Sequence, residues 1–211
     1  MLFRSEAGVA ALTDGMLRQE CLAGVLRLTA EDDGAGGRRL FVRVPPANVT
    51  AVEVDAAVLS DLLHAPVAAN PGPLPVDVGP VWLIAQVESV AALAAAEPDM
   101  AALARLSSDL NLTGVTAFAL HPGGAPDLLV RSFAPAVGVP EDPVCGSGNA
   151  AVGEYLRRTG LLSATGQQYL AHQGEQLHRA GRVNVRVQPQ HQGEIWIGGH
   201  AITVVDGALN L

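Results

Sequence analysis

Apolar and polar positions alternate in short blocks along this chain, and most blocks have the length and period of strands. Gly24-Val-Leu-Arg-Leu-Thr29 and Arg39-Leu-Phe-Val-Arg-Val44 flank the Gly-rich run 32–37, which predicts a β-hairpin. Residues 54–64 have helical spacing, after which Asn70-Pro-Gly-Pro-Leu-Pro75 cannot continue any regular element. Residues 81–87 form an apolar run of strand length, and the alanine-rich stretch 89–110 predicts helix broken near Pro98. Residues 114–120 and 127–133 predict paired strands around the turn 121–126. Residues 149–158 put Ala150, Val152, Tyr155 and Leu156 roughly on one helical face, and Gly160 supplies a stop. Strands are expected again at 168–173, 182–188, 194–198 and 201–205. The order of elements gives an α+β fold with mainly antiparallel pairing, a sheet wrapped on a central helix, and no alternating βαβ pattern.

Composition narrows the range of functions. The chain of 211 residues is long enough for one large or two small domains. Its formal charge of −8 offers no basic patch for nucleic acid. No apolar run reaches the ~18 residues that span a bilayer, and the start Met1-Leu-Phe-Arg-Ser-Glu is too short and too soon charged for a signal peptide. No membrane association and a cytoplasmic location are therefore expected. All thirteen basic residues are arginine, so neither a Schiff-base lysine nor a P-loop lysine is available. Cys21 and Cys145 stand far apart and the six histidines are scattered, which suggests no metal site and no disulfide framework.

The candidate chemistry lies in Glu141-Asp-Pro-Val-Cys-Gly-Ser-Gly-Asn-Ala150. It sets a carboxylate and a thiol three residues apart, just before a turn that opens a helix. Gly146, Ser147, Gly148 and Asn149 would offer backbone N–H groups to an anion at the positive end of the helix dipole. Ser147 or Asn149 is the expected N-cap. In that field Cys145 is expected to have a lowered pKa and to accept a proton readily, although a small cysteine between Val144 and Gly146 also suits a packing role. Arg131 either neutralises a substrate carboxylate or pairs with Asp127 or Glu141. Glu20 reads as a solvated charge and Cys21 as a core or surface thiol, while His172 and His178 are candidates for the edge of a cleft.

These motifs, with Arg131-Ser-Phe-Ala-Pro135, Gln173-Gly174, Arg182 and the closing Gly198-Gly-His-Ala-Ile-Thr-Val-Val-Asp-Gly207, resemble the PhzF-like isomerases named for phenazine biosynthesis, across nearly the whole chain. The resemblance implies a diaminopimelate epimerase-like fold of two pseudo-symmetric lobes, each a sheet around a helix, that close on a small carboxylic acid without cofactor. It implies acid/base proton transfer, with Asp142 as the second-lobe acid, Cys145 where related epimerases and racemases place a catalytic thiol, and 146–149 with Arg131 as the substrate-binding set. Family members begin with a strand, a Gly-Asn-Pro segment, a glutamate and a Cys-Gly-His-Ala-Thr string, none of which is present here. On the resemblance, residues 1–3 end the first central helix, residues 20–26 are the strand after it, and about 70 residues of the first lobe are missing. The expected division is 1–105 as a partial first lobe with connector, 106–200 as the second lobe and 201–211 as a terminal strand that returns to the first. An incomplete lobe would expose an apolar sheet face, so a homodimer is expected. Two alternatives accompany the isomerase: a non-catalytic member that binds a small anion, and a cysteine hydrolase using Cys145.

Overall fold

The computed structural model describes residues 15–21, 24–34, 36–124, 127–188, 193–202 and 207. Its strands are β1 (Met16–Cys21), β2 (Gly24–Asp32), β3 (Arg38–Arg43), β4 (Asn48–Val49), β5 (Leu74–Asp77), β6 (Val81–Gln86), β7 (Gly114–Leu120), β8 (Leu128–Ala134), β9 (Val139–Asp142), β10 (Gln168–Gln173), β11 (Gly181–Gln188) and β12 (Glu194–Gly199). Its helices are α1 (Ala56–Leu63), α2 (Val90–Ala95), α3 (Met100–Asp109), α4 (Gly146–Thr159) and α5 (Leu162–Thr165).

One sheet runs in the order β1-β2-β3-β12-β11-β10-β8-β7-β6-β5-β4, with β9 paired to β8. Most neighbours are antiparallel. Two pairs are parallel, β6 with β7 and β8 with β10, and the chain crosses between their strands through α2 and α3 in the first case and through α4 in the second. Two helical crossovers are thus embedded in a sheet whose sequence suggested none. A parallel partner needs a return of a dozen or more residues, and those helices supply it.

Alternation along the central strands explains the two cores. On β6, Trp82 and Ile84 face α4, while Leu83 and Ala85 face α1 to α3. On β7, Phe118 joins the first cluster and Val115, Ala117 and Ala119 join the second. Both faces are buried, which is why these strands appear in the sequence as unbroken apolar runs. The helix α4 lies against β5, β6, β7, β11 and β12, and its Val152, Tyr155 and Leu156 are fully buried. Burying each such side chain contributes about 1.5–3 kcal/mol. Gly160 ends α4 with φ 78°, a left-handed position where glycine carries no Cβ penalty.

The expected boundary at 105/106 falls inside this packing. Strands β4 to β6, assigned above to a first lobe, pair through to β7, and α4 packs on β5 and β6. Long-range strand pairing, invisible in local periodicity, unites residues 48–199 around α4, while β1 to β3 extend the sheet beyond β12. Of the strand expected at 20–26, Glu20 and Cys21 end β1 and residues 24–26 begin β2, which pair as a hairpin with Cys21 opposite Gly24, while residues 22 and 23 lie outside the described residues. Ala201 and Ile202 lie in no regular element, and the rest of the strand expected at 201–205, like residues 1–3, lies outside the described residues. Among the described residues no helix is long and apolar enough to cross a membrane.

Candidate active site

The motif runs from the end of β9 into α4. Asp142 pairs with Ser132 at a register shift between β8 and β9, and its Oδ1 accepts the Val144 N–H at 2.9 Å, which closes a tight turn over Pro143. Cys145 is the N-cap of α4: its backbone is extended and its Sγ accepts the Gly148 N–H at 3.2 Å. This corrects the assignment of the cap to Ser147 or Asn149, both of which lie within the helix. The thiol takes the place that a serine hydroxyl fills in an ordinary cap.

Cys145 is 4% exposed. Burial pushes its thiol pKa up, the Asp142 charge adds to this, and hydrogen bonds from Ser147, Gly148 and Ser132 only partly oppose it. The expectation of a lowered pKa is overturned, because desolvation of a thiolate outweighs the pull of the helix start. At neutral pH the thiol holds its proton.

Gln173, at the end of β10, ties the loop together from outside the motif. Its Nε2 donates to the Asp142 carbonyl at 2.9 Å, and its Oε1 accepts from the Cys145 N–H at 3.1 Å and from Asn149 Nδ2 at 2.8 Å. Asn149 Nδ2 also donates to the Cys145 carbonyl at 2.8 Å. Asn149 therefore holds the helix start, and the buried Asn149 Oδ1 is left without a partner. With the Cys145, Gly148 and Asn149 N–H groups engaged, those of Gly146 and Ser147 are free of partners among the described residues. Ser147 Oγ accepts from Trp82 Nε1 at 3.0 Å.

Neither Gly146 nor Gly148 has a positive φ, so the turn does not need them as left-handed residues. Gly148 is required by close approach: a Cβ there would lie 2.7 Å from Ser132 Oγ and 2.8 Å from Thr116 Oγ1, two hydroxyls already bonded to each other at 3.0 Å. Gly148→Ala is expected to cost about 1–3 kcal/mol in denaturant unfolding. Gly146→Ala, whose Cβ would meet nothing within 4 Å, is expected to leave the midpoint nearly unchanged or raise it.

Arg131 is engaged by groups of the chain itself. Its side chain is buried, its Nε and Nη2 each donate to Glu141 at 2.9 Å, and its Nη1 donates to the carbonyls of Leu93 at 3.1 Å and Ala96 at 2.7 Å. Of the alternatives open in the sequence, the pair with Glu141 is the one formed, because the β8–β9 register sets the two residues side by side; Asp127 instead accepts the Leu170 N–H. His172 is buried and its Nδ1 lies 3.0 Å from Glu175 Oε1, while His178 ends a short 3-10 turn with φ 57°. Glu20 and Cys21 are exposed on β1. Among the described residues no three His, Cys, Asp or Glu side chains are gathered to hold a metal. A cavity of about 240 Å³ beside Arg39, Phe41 and Arg186 does not include the loop.

The sequence had flagged Gln173 only as half of a Gln-Gly pair. Nothing flagged Trp82, whose apolar neighbours conceal its one polar atom.

The family described as phenazine biosynthesis-like protein matches residues 2–207. Antisense-enhancing sequence 1 of Schizosaccharomyces pombe is 29% identical over 96% of this chain and 69% of its own length. An uncharacterised isomerase of Deinococcus radiodurans is 34% identical over 82% of this chain, and the chain spans 58% of that relative's length. Among solved structures, a PhzF-family phenazine biosynthesis protein of Bacillus anthracis superposes with a TM-score of 0.76 at 17% identity, covering 93% of this chain and 69% of that one. A hydroxyproline epimerase of Agrobacterium vitis, with trans-4-OH-L-proline bound, gives 0.63 at 18% identity over 96% of this chain and 63% of that one. At such identities the structural likeness establishes the fold, an α+β fold of the diaminopimelate epimerase type. With the match running over nearly its entire length, the chain belongs to the phenazine biosynthesis-like, or PhzF-like, family.

Proposed function

We propose that the 142–149 loop is the acid/base and anion-binding part of a cofactor-independent isomerase or epimerase acting on a small carboxylic acid. The observation that carries this reading is the placement of Asp142 and the protonated Cys145 thiol beside the free N–H groups of Gly146 and Ser147 at the start of α4. Those two amides and the helix dipole suit a carboxylate, which in turn acidifies a neighbouring C–H less than an uncharged carbonyl would. Neutralising the carboxylate is therefore part of the catalytic task, and the amides contribute to it. Asp142 is the proton-transferring carboxylate, and Cys145, protonated at rest, is the group able to return a proton. Gly148 keeps Cys145 close-packed, and Asn149 holds the loop's carbonyl. The name of the Deinococcus relative, an isomerase, agrees with this reaction class.

The test is solvent-deuterium incorporation into a panel of small carboxylic and amino acids, followed by mass spectrometry. Exchange at a carbon-bound hydrogen is expected, with a fall of at least about 10²-fold in Asp142→Asn. An absence of exchange throughout the panel, or unaltered exchange in Asp142→Asn, overturns it.

A second reading has its own support in the burial of the thiol: a member that binds a small anion without turning it over. Calorimetric binding of a panel acid by a chain that exchanges none of them would favour that reading. The hydrolase is weaker, since the Sγ partners are the Gly148 N–H and the Ser147 and Ser132 hydroxyls, and none is a base that could activate a thiol.

A further inference from the structure

Trp82 has one polar atom, and the fold directs it at the motif. It sits on β6, 65 residues from Ser147, is 3% exposed, and places its indole Nε1 at 3.0 Å from Ser147 Oγ. An indole N–H only donates, so Ser147 Oγ is the acceptor in that bond and its own single proton must point elsewhere. Cys145 Sγ lies 3.6 Å from the same oxygen. The hydroxyl thus stands between a fixed donor on one side and a sulfur on the other, next to the free N–H groups of Gly146 and Ser147.

We propose that Trp82 is a positioning residue of this site, whose indole N–H orients the Ser147 hydroxyl so that its one proton goes to Cys145 Sγ in the free site and to an oxyanion when one is held by the Gly146 and Ser147 amides. The proposal rests on the loop being a small-carboxylate site and names what gives its hydroxyl a direction. Without the indole, Ser147 could turn to accept from a ligand or a solvent molecule, and the preference for negative charge at this point would weaken. Asp142 is the charged group acting on the sulfur, where it disfavours the thiolate; Ser147, Gly148 and Ser132 supply the opposing hydrogen bonds.

Thiolate formation, followed by ultraviolet absorbance against pH, tests this without any turnover, so the outcome is independent of the exchange experiment. A Cys21→Ser background leaves Cys145 as the one thiol. Ser147→Ala is expected to raise the Cys145 midpoint by about one pH unit, as the thiolate loses a charge-assisted hydrogen bond. Trp82→Phe keeps an aromatic ring and removes the N–H, and is expected to raise it in the same direction and by no more. The double variant is expected to match Ser147→Ala alone, because the indole acts through the hydroxyl. An unmoved midpoint in either single variant, or additive shifts in the double, overturns the proposal. A second measurement leaves the core ring in place: with Trp196→Phe, Ser147→Ala is expected to shift the Trp82 fluorescence as its N–H loses its acceptor. An unshifted emission also overturns it.

Discussion

Glu141→Ala is expected to cost about 3–5 kcal/mol in equilibrium denaturation, the loss typical of stranding one partner of a buried ion pair. The side chains of Arg131 and Glu141 are 5% and 6% exposed and meet through two bonds of 2.9 Å. Taking away the carboxylate leaves a guanidinium with two acceptors, the Leu93 and Ala96 carbonyls, and the face of Phe133 at 5.0 Å. Those carbonyls belong to the negative end of α2, so they hold part of the charge but cannot replace a full anion. Glu141→Gln keeps one acceptor oxygen and is expected to lose less. Replacing both partners, Arg131→Met with Glu141→Leu, is expected to recover only part of the loss, since the Ala96 carbonyl would then lose its donor and the Leu93 carbonyl would keep only the Ala96 N–H. A Glu141→Ala loss below about 1 kcal/mol, the scale of an exposed pair, would contradict the structural role. It would also reopen the case for Arg131 as a substrate ligand.

Arg131 shows how far the sequence reaches. Its neighbours in 128–134 are apolar except Ser132, and a charge inside such a run on a central strand must be paired or must face a ligand; the sequence alone leaves both open. Only the β8–β9 register, with its shift between Ser132 and Ala134, brings Glu141 alongside. The helix at 149–158 was legible from period and from Gly160, yet its first turn was not, because Gly146-Ser-Gly148 reads locally as a turn. Gly148 there serves the approach of Thr116 and Ser132, residues of β7 and β8. The sign of the Cys145 shift failed for a related reason: its neighbours in sequence imply an electropositive helix start, whereas burial beneath strands distant in sequence sets the outcome. Most strands were legible, but β1, β4, β5 and β9 were not, and Leu74 and Pro75 of β5 lie in the proline-rich run that reads as a breaker. The strand order was not legible, because β6 and β7 pair across the two helices that separate them.

Gln173→Leu is expected to cost about 2–5 kcal/mol, from the Cys145 N–H and the Asp142 carbonyl losing their Gln173 partner at about 1–3 kcal/mol each, while Asn149 Nδ2 keeps the Cys145 carbonyl as acceptor. Gln173 is fully buried, so solvent cannot replace its bonds to the Asp142 carbonyl, the Cys145 N–H and Asn149 Nδ2. Each bond has a fixed sense. Reversing the amide would set its oxygen against the Asp142 carbonyl and its NH₂ against two donors, so one orientation alone satisfies all three groups. Gln173→Glu preserves the acceptor that faces Cys145 and Asn149 but turns the donor that faces Asp142 into an oxygen. It is expected to fall between Leu and the parent at acid pH, where the new carboxyl can carry a proton, and to approach Leu as the pH rises and that proton is lost. Denaturation midpoints of the two variants across that range measure the difference. Equal losses at every pH would show that the donor to Asp142 contributes nothing, and a Leu variant within about 0.5 kcal/mol of the parent, the scale of a surface substitution, would remove Gln173 from the account of how the loop is held. The tight approach of Gly174 and Gly181 to Pro143 and Val144 would then have to hold Asp142 and Cys145 in place unaided.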